Sequence, residues 1–213
     1  MHADDLAAAV ARMLEEARLL GFLGPGPVEA HVAHARGFAA AAASGGVAID
    51  EELAVVDLGS GGGVPGLVLA TVWTNAGIAL MDASARRTEF LRRAVEACHL
   101  GDRVSVWEQR AEDAGRDPQR RGQADLVVAR GFGPPSVTAE CAAPLLREGG
   151  RLVVSEPPGD RGDRWPEGPL GELGLENPSV FRDRFGFQVL TQCRPCPERF
   201  PRRVGVPAKR PLF

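Results

Sequence analysis

The sequence predicts an α/β fold, in which a mostly parallel sheet carries helices on both faces. Three observations support this prediction. Short apolar runs alternate with helical patterns beyond residue 52, and one of these runs ends in a glycine-rich turn. The length of 213 residues and the 44% hydrophobic content suit about one domain with a buried core. We therefore expect one α/β domain with a small appendage.

The appendage is a short helical segment at residues 1–48, ahead of the main domain at residues 49–213. Apolar residues fall on one face of a helix over residues 5–20. Pro27 suits the start of a second, alanine-rich helix, which a glycine pair would end after Ser44. No secretory signal and no membrane-spanning run is visible, so we expect a cytoplasmic protein that makes no membrane contact.

Strands and helices alternate through the main domain. Apolar runs predict strands at residues 54–58, 78–82, 103–107, 125–129, 151–155 and 185–191. Helical patterns cover residues 64–73, 84–99 and 135–146. Proline, glycine and charged residues predict a long surface loop over 157–178 and an extended tail over 200–207. Ligands of such sheets bind at the carboxyl ends of the strands.

The most informative segment is the glycine-rich turn that follows the first predicted strand. It reads Val56-Asp57-Leu58-Gly59-Ser60-Gly61-Gly62-Gly63-Val64-Pro65-Gly66. Glycines permit a positive φ and the close approach of a ligand, and the helix that follows offers free N–H groups. A glycine loop of this kind predicts a nucleotide-like cofactor.

Two cofactor classes fit this turn. Gly61, Gly63 and Gly66 match the G-x-G-x-x-G pattern of NAD binding. In the other interpretation, Asp57 precedes Gly59, Gly61 and Gly63, and its carboxylate reaches the ammonium of S-adenosylmethionine. A carboxylate at that point repels a pyrophosphate and favours the cationic cofactor.

Asp82 ends the second predicted strand, 25 residues after Asp57. A carboxylate there can accept hydrogen bonds from both ribose hydroxyls of either cofactor. The alternative is that Asp82 only caps the helix that begins near Ser84.

Several further segments follow in order. They are Met81–Leu91, Arg110–Asp113, Ala129–Phe132 and the basic tail Arg199–Leu212. Together with Asp57–Gly66, their order and spacing resemble the bacterial small-subunit ribosomal RNA guanine-N7 methyltransferases of the glucose-inhibited division protein B type. The chain resembles a divergent member, because His34 is followed by Ala35-Arg36-Gly37-Phe38 where the family usually has an Asp-Ser pair.

This resemblance implies a Rossmann-like S-adenosylmethionine-dependent methyltransferase fold. It implies a cofactor site that includes Gly59, Val64, Ala111, Glu112 and Arg130, with Asp82 and Ala83 on the adenosine side. Arg130 is the candidate catalytic residue, which would orient the acceptor base or its phosphate. A salt bridge to Glu112 or Asp125 is its structural alternative. Because guanine N7 carries a free lone pair, no general base is needed, and the task is one of alignment.

Arginine dominates the predicted contacts with ribosomal RNA or the small ribosomal subunit. Residues 182–213 hold eight basic and two acidic side chains, an asymmetry typical of a segment that meets an anionic partner. The candidate RNA-binding residues are Arg86, Arg87, Arg199, Arg202, Arg203, Lys209 and Arg210. For the helix after Asp82, a solvated face with Glu89 and Glu96 as partners is the alternative.

Other functions stay open at this point. The chain is alternatively a paralogue that methylates a small molecule or another RNA, or an RNA-binding module without turnover. An NAD-dependent oxidoreductase is disfavoured by Asp57. No metal site is predicted, because Cys193-Arg-Pro-Cys196 lacks a second ligand pair. Trp73 and Trp107 are predicted core residues, whereas the sequence does not place Trp165.

Overall fold

A computed structural model describes residues 3–47, 52–159 and 164–213. Across these residues the strands are β1 Ala54–Leu58, β2 Gly77–Asp82, β3 Val104–Glu108, β4 Ala124–Ala129, β5 Leu146–Glu156, β6 Leu175–Arg182 and β7 Gly186–Gln192. The helices are α1 Ala3–Leu19, α2 Val28–Ser44, α3 Gly66–Val72, α4 Ala85–Ala97, α5 Ala111–Ala114, α6 Pro135–Ala142, α7 Glu167–Glu172 and α8 Val206–Lys209. A 3₁₀ turn spans Ala143–Leu145.

The strands form one sheet in the order β3-β2-β1-β4-β5-β7-β6. Strands β1 to β5 pair in parallel, and β7 runs antiparallel to both β5 and β6. The chain moves outward from β1 to β3 and then returns to β4 beside β1, which opens a crevice at the carboxyl ends of these two strands. The predicted mostly parallel α/β sheet is confirmed.

Helices cover both faces of the sheet. One hydrophobic cluster joins α1, α2, α3 and α4 to one face, with Leu14, Phe38, Leu67 and Phe90 among its buried members. The second cluster joins α6, α7 and the C-terminal tail to the other face. The domain boundary predicted at residues 48–49 lies outside the described residues and stays a prediction.

The prediction of a long loop over residues 157–178 is wrong for most of the residues that the structure describes in this range. Helix α7 and the first half of β6 lie there, and Trp165 is buried with 3% of its surface exposed. The sequence did not indicate this strand because it contains Pro178, and proline cannot donate a hydrogen bond to a neighbouring strand. Proline is nevertheless tolerated in edge strands and at irregularities. Strand β6 is an edge strand, and its register shifts between Glu176 and Ser179.

Other differences concern one helix end and the conformation of the tail. The helix predicted to run to residue 146 ends at Ala142 and continues as a 3₁₀ turn, since Pro144 lacks an N–H for the α-helical ladder. The tail is not extended throughout: α8 forms at Val206–Lys209, after Gly205 with φ +78°. Trp73 is a core residue, as predicted, with 1% of its surface exposed. The same prediction for Trp107 is wrong, because this residue is only partly buried against the second cluster and its ring lies beneath Arg120. No helix in the described parts of the chain is long and apolar enough to cross a bilayer.

Candidate cofactor site

The glycine loop after β1 adopts a conformation that glycine alone favours. Gly59, Gly61 and Gly63 have φ values of +76°, +55° and +92°. A Cβ atom on Gly59 would lie 2.7 Å from Phe132 Cδ2, and one on Gly63 would overlap the side chain of Leu67. The loop therefore packs closely against its neighbours while it turns the chain from β1 into α3.

Asp57 supports this loop from below. Its side chain is fully buried, and its Oδ2 accepts a hydrogen bond of 2.8 Å from the N–H of Gly66 at the start of α3. The Ser60 hydroxyl donates to the Asp57 backbone carbonyl at 3.0 Å. Burial raises the pKa of Asp57 to about 7. Asp57 lines neither cavity described below, so its contact with a cofactor ammonium stays a prediction.

Asp82 holds the loop from the side. Its Oδ2 accepts from the Gly61 N–H at 3.0 Å, and its Oδ1 accepts from the Ser84 N–H at 2.9 Å. Arg87 lies 3.4 Å from the same carboxylate. Both the helix start and the glycine loop therefore depend on Asp82, which also lines the larger cavity. The structural and the ligand-binding interpretations of this residue are compatible.

A cavity of about 370 Å³ opens at the carboxyl ends of β1, β2, β3 and β4. It brings together five of the predicted cofactor residues, namely Gly59, Asp82, Ala83, Ala111 and Glu112. Further lining residues that the sequence did not indicate are Phe132, Val137, Cys141, Val204, Gly205 and Ala208. The lining of the larger cavity thus combines the carboxylates of Asp82 and Glu112 with largely apolar residues.

The C-terminal tail forms one wall of this larger cavity. The Gly205 N–H donates to Glu112 Oε1 at 2.8 Å, which joins the tail to the end of the cavity beyond β3. Arg121 anchors the preceding stretch by donating to the carbonyls of Cys196, Pro197 and Phe200. The sequence indicated a charged tail but not a tail that shapes the cavity.

A smaller cavity of about 270 Å³ lies on the other side of the glycine loop. It shares Gly59, Arg87 and Gly131 with the larger cavity, so the two adjoin at the loop. Its other lining residues are Phe22, Leu23, Gly24, Ser60, Gly61, Gly62, Val64 and Arg130. The structure places the predicted residues Gly61, Val64 and Arg130 at this smaller cavity. Gly63 is buried in the loop and lines neither cavity.

Arg130 follows β4 and contacts a histidine from α2. Its Nη2 lies 2.6 Å from Nδ1 of His31. Among the described residues no ion pair joins Arg130 to Glu112 or Asp125; Glu112 instead accepts from the Gly205 N–H, and Asp125 pairs with Arg147. Burial lowers the pKa of Arg130, and burial together with the Arg130 charge lowers the pKa of His31. His31 lies on α2, outside the strand-end motifs on which the sequence analysis depends.

The predicted RNA-binding residues divide into two groups. Arg86, Arg87, Arg203, Lys209 and Arg210 are exposed, and Arg86 lies over the Phe22 ring at 5.1 Å from its centroid. Arg199 is also exposed but lies 3.4 Å from Glu172. Arg202 differs, because its guanidinium donates two hydrogen bonds to Glu140, whose side chain is fully buried. The geometry gives Arg202 a structural role in docking the tail.

The residues of the cleft fit S-adenosylmethionine. The positive-φ glycine loop provides a backbone cradle, Asp82 offers acceptors for ribose hydroxyls, and Ala83, Ala111 and Phe132 offer apolar surface for a base. The carboxylates of Asp82 and Glu112 place acceptor oxygens and negative charge at the cavity, which suits a cationic ligand. In the described parts of the chain, no cluster of three or more His, Cys, Asp or Glu side chains could hold a metal ion.

Solved structures show the same fold. The chain resembles an S-adenosylmethionine-dependent O-methyltransferase from Thermotoga maritima with a TM-score of 0.59 and 13% identity, over 85% of this chain and 72% of the other. It also resembles P. horikoshii TYW2 in complex with MeSAdo, with a TM-score of 0.54 and 18% identity, over 80% of this chain and 64% of that one. The fold class is that of the Rossmann-like S-adenosylmethionine-dependent methyltransferases.

Sequence comparison narrows the class to one family. Residues 40–156 match the family model of the rRNA small subunit methyltransferase G proteins (GidB). The chain is 35% identical to ribosomal RNA small subunit methyltransferase G of Synechococcus sp. RCC307, over 76% of this chain and 72% of that protein. The protein of that name from Thermotoga sp. RQ2 is also 35% identical, over 78% of this chain and 75% of its own length. The chain belongs to this family, as the sequence motifs predicted.

Proposed function

We propose that this chain transfers the methyl group of S-adenosylmethionine to N7 of a guanine in small-subunit (16S) ribosomal RNA. The observation that carries the proposal is the family match over residues 40–156. That match contains the glycine loop, Asp82, Glu112 and Arg130, which line the two adjoining cavities. The partner in this proposal is the small ribosomal subunit or its RNA. Because this acceptor is cytoplasmic, the reaction takes place in the cytoplasm.

The larger cavity supports adenosine binding. Asp82 accepts hydrogen bonds from the ribose hydroxyls, and Ala83, Ala111 and Glu112 border the base. Bound S-adenosylmethionine supplies a methyl group on a sulfonium, which is transferred by direct displacement. Because Gly59 belongs to both cavities, the glycine loop lies where the cofactor side meets the acceptor side.

Arg130 orients the acceptor in this proposal. It lines the smaller cavity, beside the glycine loop and next to the larger cavity. Guanidinium N–H groups donate to guanine O6 or to a phosphate oxygen, and a fixed guanidinium restricts the angle from which N7 approaches. No side chain has to remove a proton, since the lone pair of N7 is free. Rate enhancement then comes from alignment of nucleophile, methyl group and leaving sulfur.

The exposed cations supply the RNA contacts. Arg86 and Arg87 stand at the start of α4 beside the cavities, and Arg203, Lys209 and Arg210 lie on the tail that walls the larger cavity. Arg199 is also exposed, although its guanidinium lies 3.4 Å from Glu172. Phosphate contacts of this kind fix the RNA without reading its sequence and weaken with salt.

Methyl transfer to small ribosomal subunits tests the proposal. Subunits from cells that lack this protein are incubated with labelled S-adenosylmethionine, and nucleosides are identified by mass spectrometry. We expect a new 7-methylguanosine, lost in Asp82→Ala and kept in Asp102→Ala, which changes an exposed carboxylate in the turn after α4. Intact cofactor binding without label in subunits or their naked RNA would overturn the acceptor assignment.

A further inference from the structure

His31 has two hydrogen-bond partners of opposite kind. The ring is buried, with 5% of its surface exposed. Its Nδ1 lies 2.6 Å from Arg130 Nη2, and its Nε2 lies 3.1 Å from the backbone oxygen of Gly24. A guanidinium only donates and a carbonyl only accepts. Nε2 must therefore carry the hydrogen, and Nδ1 must be the bare acceptor. The two partners select one neutral tautomer.

These two bonds connect three separate segments around the smaller cavity. His31 lies on α2, Gly24 lies in the connection between α1 and α2, and Arg130 follows β4. Gly24 and Arg130 both line that cavity, together with Ser60, Gly61 and Gly62 of the glycine loop. A single imidazole thus fixes the position of a cavity wall and the direction of the guanidinium beside it.

We propose that His31 is a positioning residue for methyl transfer: its bare Nδ1 holds the Arg130 guanidinium in the orientation that receives the acceptor base. This inference rests on the proposed function, because it assigns the role of a residue in that same reaction. His31 itself does not line either cavity and acts through Arg130.

The neighbouring His34 does not share this role. Its ring packs edge-on against Phe185 and Phe38, with centroid distances of 4.8 and 5.7 Å. Burial and the nearby Arg130 and His31 lower the pKa of His34 to about 4. His34 is therefore a neutral part of the aromatic packing at neutral pH.

Protonation of His31 breaks the arrangement. An imidazolium carries a hydrogen on both nitrogens, so it cannot accept from Arg130. The charged and titratable groups that face it are Arg130 from the end of β4 and His34 from α2. Burial and the Arg130 charge lower the pKa of His31 below 6.5, so the acceptor form persists at neutral pH and is lost in acid.

Two amide variants separate the two bonds. In His31→Asn the side-chain oxygen occupies the place of Nδ1 and can accept from Arg130, but the asparagine side chain is too short to reach Gly24. In His31→Gln the amide nitrogen reaches the place of Nε2 and donates to Gly24, but no acceptor faces Arg130. His31→Leu removes both bonds, and His99→Asn changes an exposed histidine as the matched control.

We expect kcat to fall about 10–100-fold in His31→Gln and His31→Leu, because misalignment costs rate rather than affinity. His31→Asn should stay within about 3-fold of the wild type, and the KM for the cofactor should change little in all variants. The wild type should lose kcat at acidic pH, whereas His31→Asn should not. Equal activity of His31→Gln and His31→Asn would overturn the proposal.

Nitrogen-15 NMR of the free protein gives a readout that does not need the reaction. We expect the His31 Nε2–H tautomer near neutral pH, and a shift of the Arg130 side-chain signals in His31→Gln but not in His31→Asn. A proton on Nδ1 would contradict the proposal even if transfer to guanine is observed. The expected NMR pattern without any transfer would instead count against the proposed function, and the positioning contact would stand.

Discussion

The glycine loop and the basic tail both border the larger cavity, yet they differ in how their roles are encoded. The loop needs glycines because its backbone has positive φ values at Gly59, Gly61 and Gly63. The tail is rich in cations, but their roles depend on partners elsewhere. Arg202 pairs with the buried Glu140, whereas the adjacent Arg203 is exposed.

The loop and the tail differ in what determines the role of each residue. A backbone requirement is local, so a glycine pattern carries it in the sequence itself. The role of an arginine depends on the nearest carboxylate in space, and Glu140 lies 62 positions from Arg202 in the chain. Local backbone geometry is therefore easier to predict from sequence than the partner of a charged side chain.

The largest effect should come from removing the tail anchor. Arg202→Ala leaves the carboxylate of Glu140 buried without its cation, and we expect a loss of about 3 kcal/mol in the free energy of unfolding. Glu140→Gln in the same background should recover part of this loss, because the buried charge is then gone. Denaturant titration measures both variants.

Arg203→Ala is the matched control for this anchor, since it removes the next arginine from an exposed position. Its free energy of unfolding should change by less than about 0.5 kcal/mol. Equal losses in Arg202→Ala and Arg203→Ala would show that the two arginines do not differ in the way the structure indicates.

A methyl group on Gly59 tests whether the glycine loop requires glycine at this position. Gly59→Ala places a Cβ atom 2.7 Å from Phe132 at a φ of +76°, so the loop or the ring must shift. We expect the affinity for S-adenosylhomocysteine to fall more than about 10-fold by calorimetry. Gly101→Ala, where a Cβ would meet nothing within 4 Å, should bind as the wild type does.

Asp57 makes the stability of the loop depend on pH. Its pKa rises from 3.8 to about 7 on folding, so the folded state holds the extra proton between these values. Wild-type stability from this residue therefore falls as the pH rises from about 4 to 7. Asp57→Asn keeps an oxygen for Gly66 but does not titrate. Its stability relative to the wild type should increase by about 1–3 kcal/mol between pH 5 and pH 8. A pH-independent difference would argue against a buried, strongly shifted carboxyl.

The smallest effect should come from the exposed tail cations. Replacing Arg203, Lys209 and Arg210 together by Gln should reduce the slope of log K against log salt for RNA binding by about 2, at about 0.7 per lost phosphate contact. Arg18→Gln, which removes an α1 arginine already paired with Glu15, should leave the slope unchanged. An unchanged slope in the triple variant would remove the tail from the RNA surface.

The sequence predicted the parallel sheet, the glycine loop and the position of Asp82 because each depends on local patterns. It missed β6, where Pro178 interrupts an edge strand, and it left Trp165 unplaced although its indole N–H bonds the buried Glu156 at 2.8 Å. It also missed His31. The i, i+3 spacing of His31 and His34 puts both rings on one side of α2, but nothing local indicated that His31 would contact Arg130, which follows β4. Partners brought together by the fold account for these omissions.

A crystal structure with S-adenosylhomocysteine tests most directly whether loop and tail form one cofactor site. We predict that the ribose hydroxyls bond Asp82, that the base lies between Ala83 and Ala111, and that Gly205 remains bonded to Glu112 at the wall. The amino-acid end should reach past Gly59 toward the smaller cavity. A ligand bound away from Asp82, or a tail displaced from Glu112 when the ligand is bound, would contradict the account.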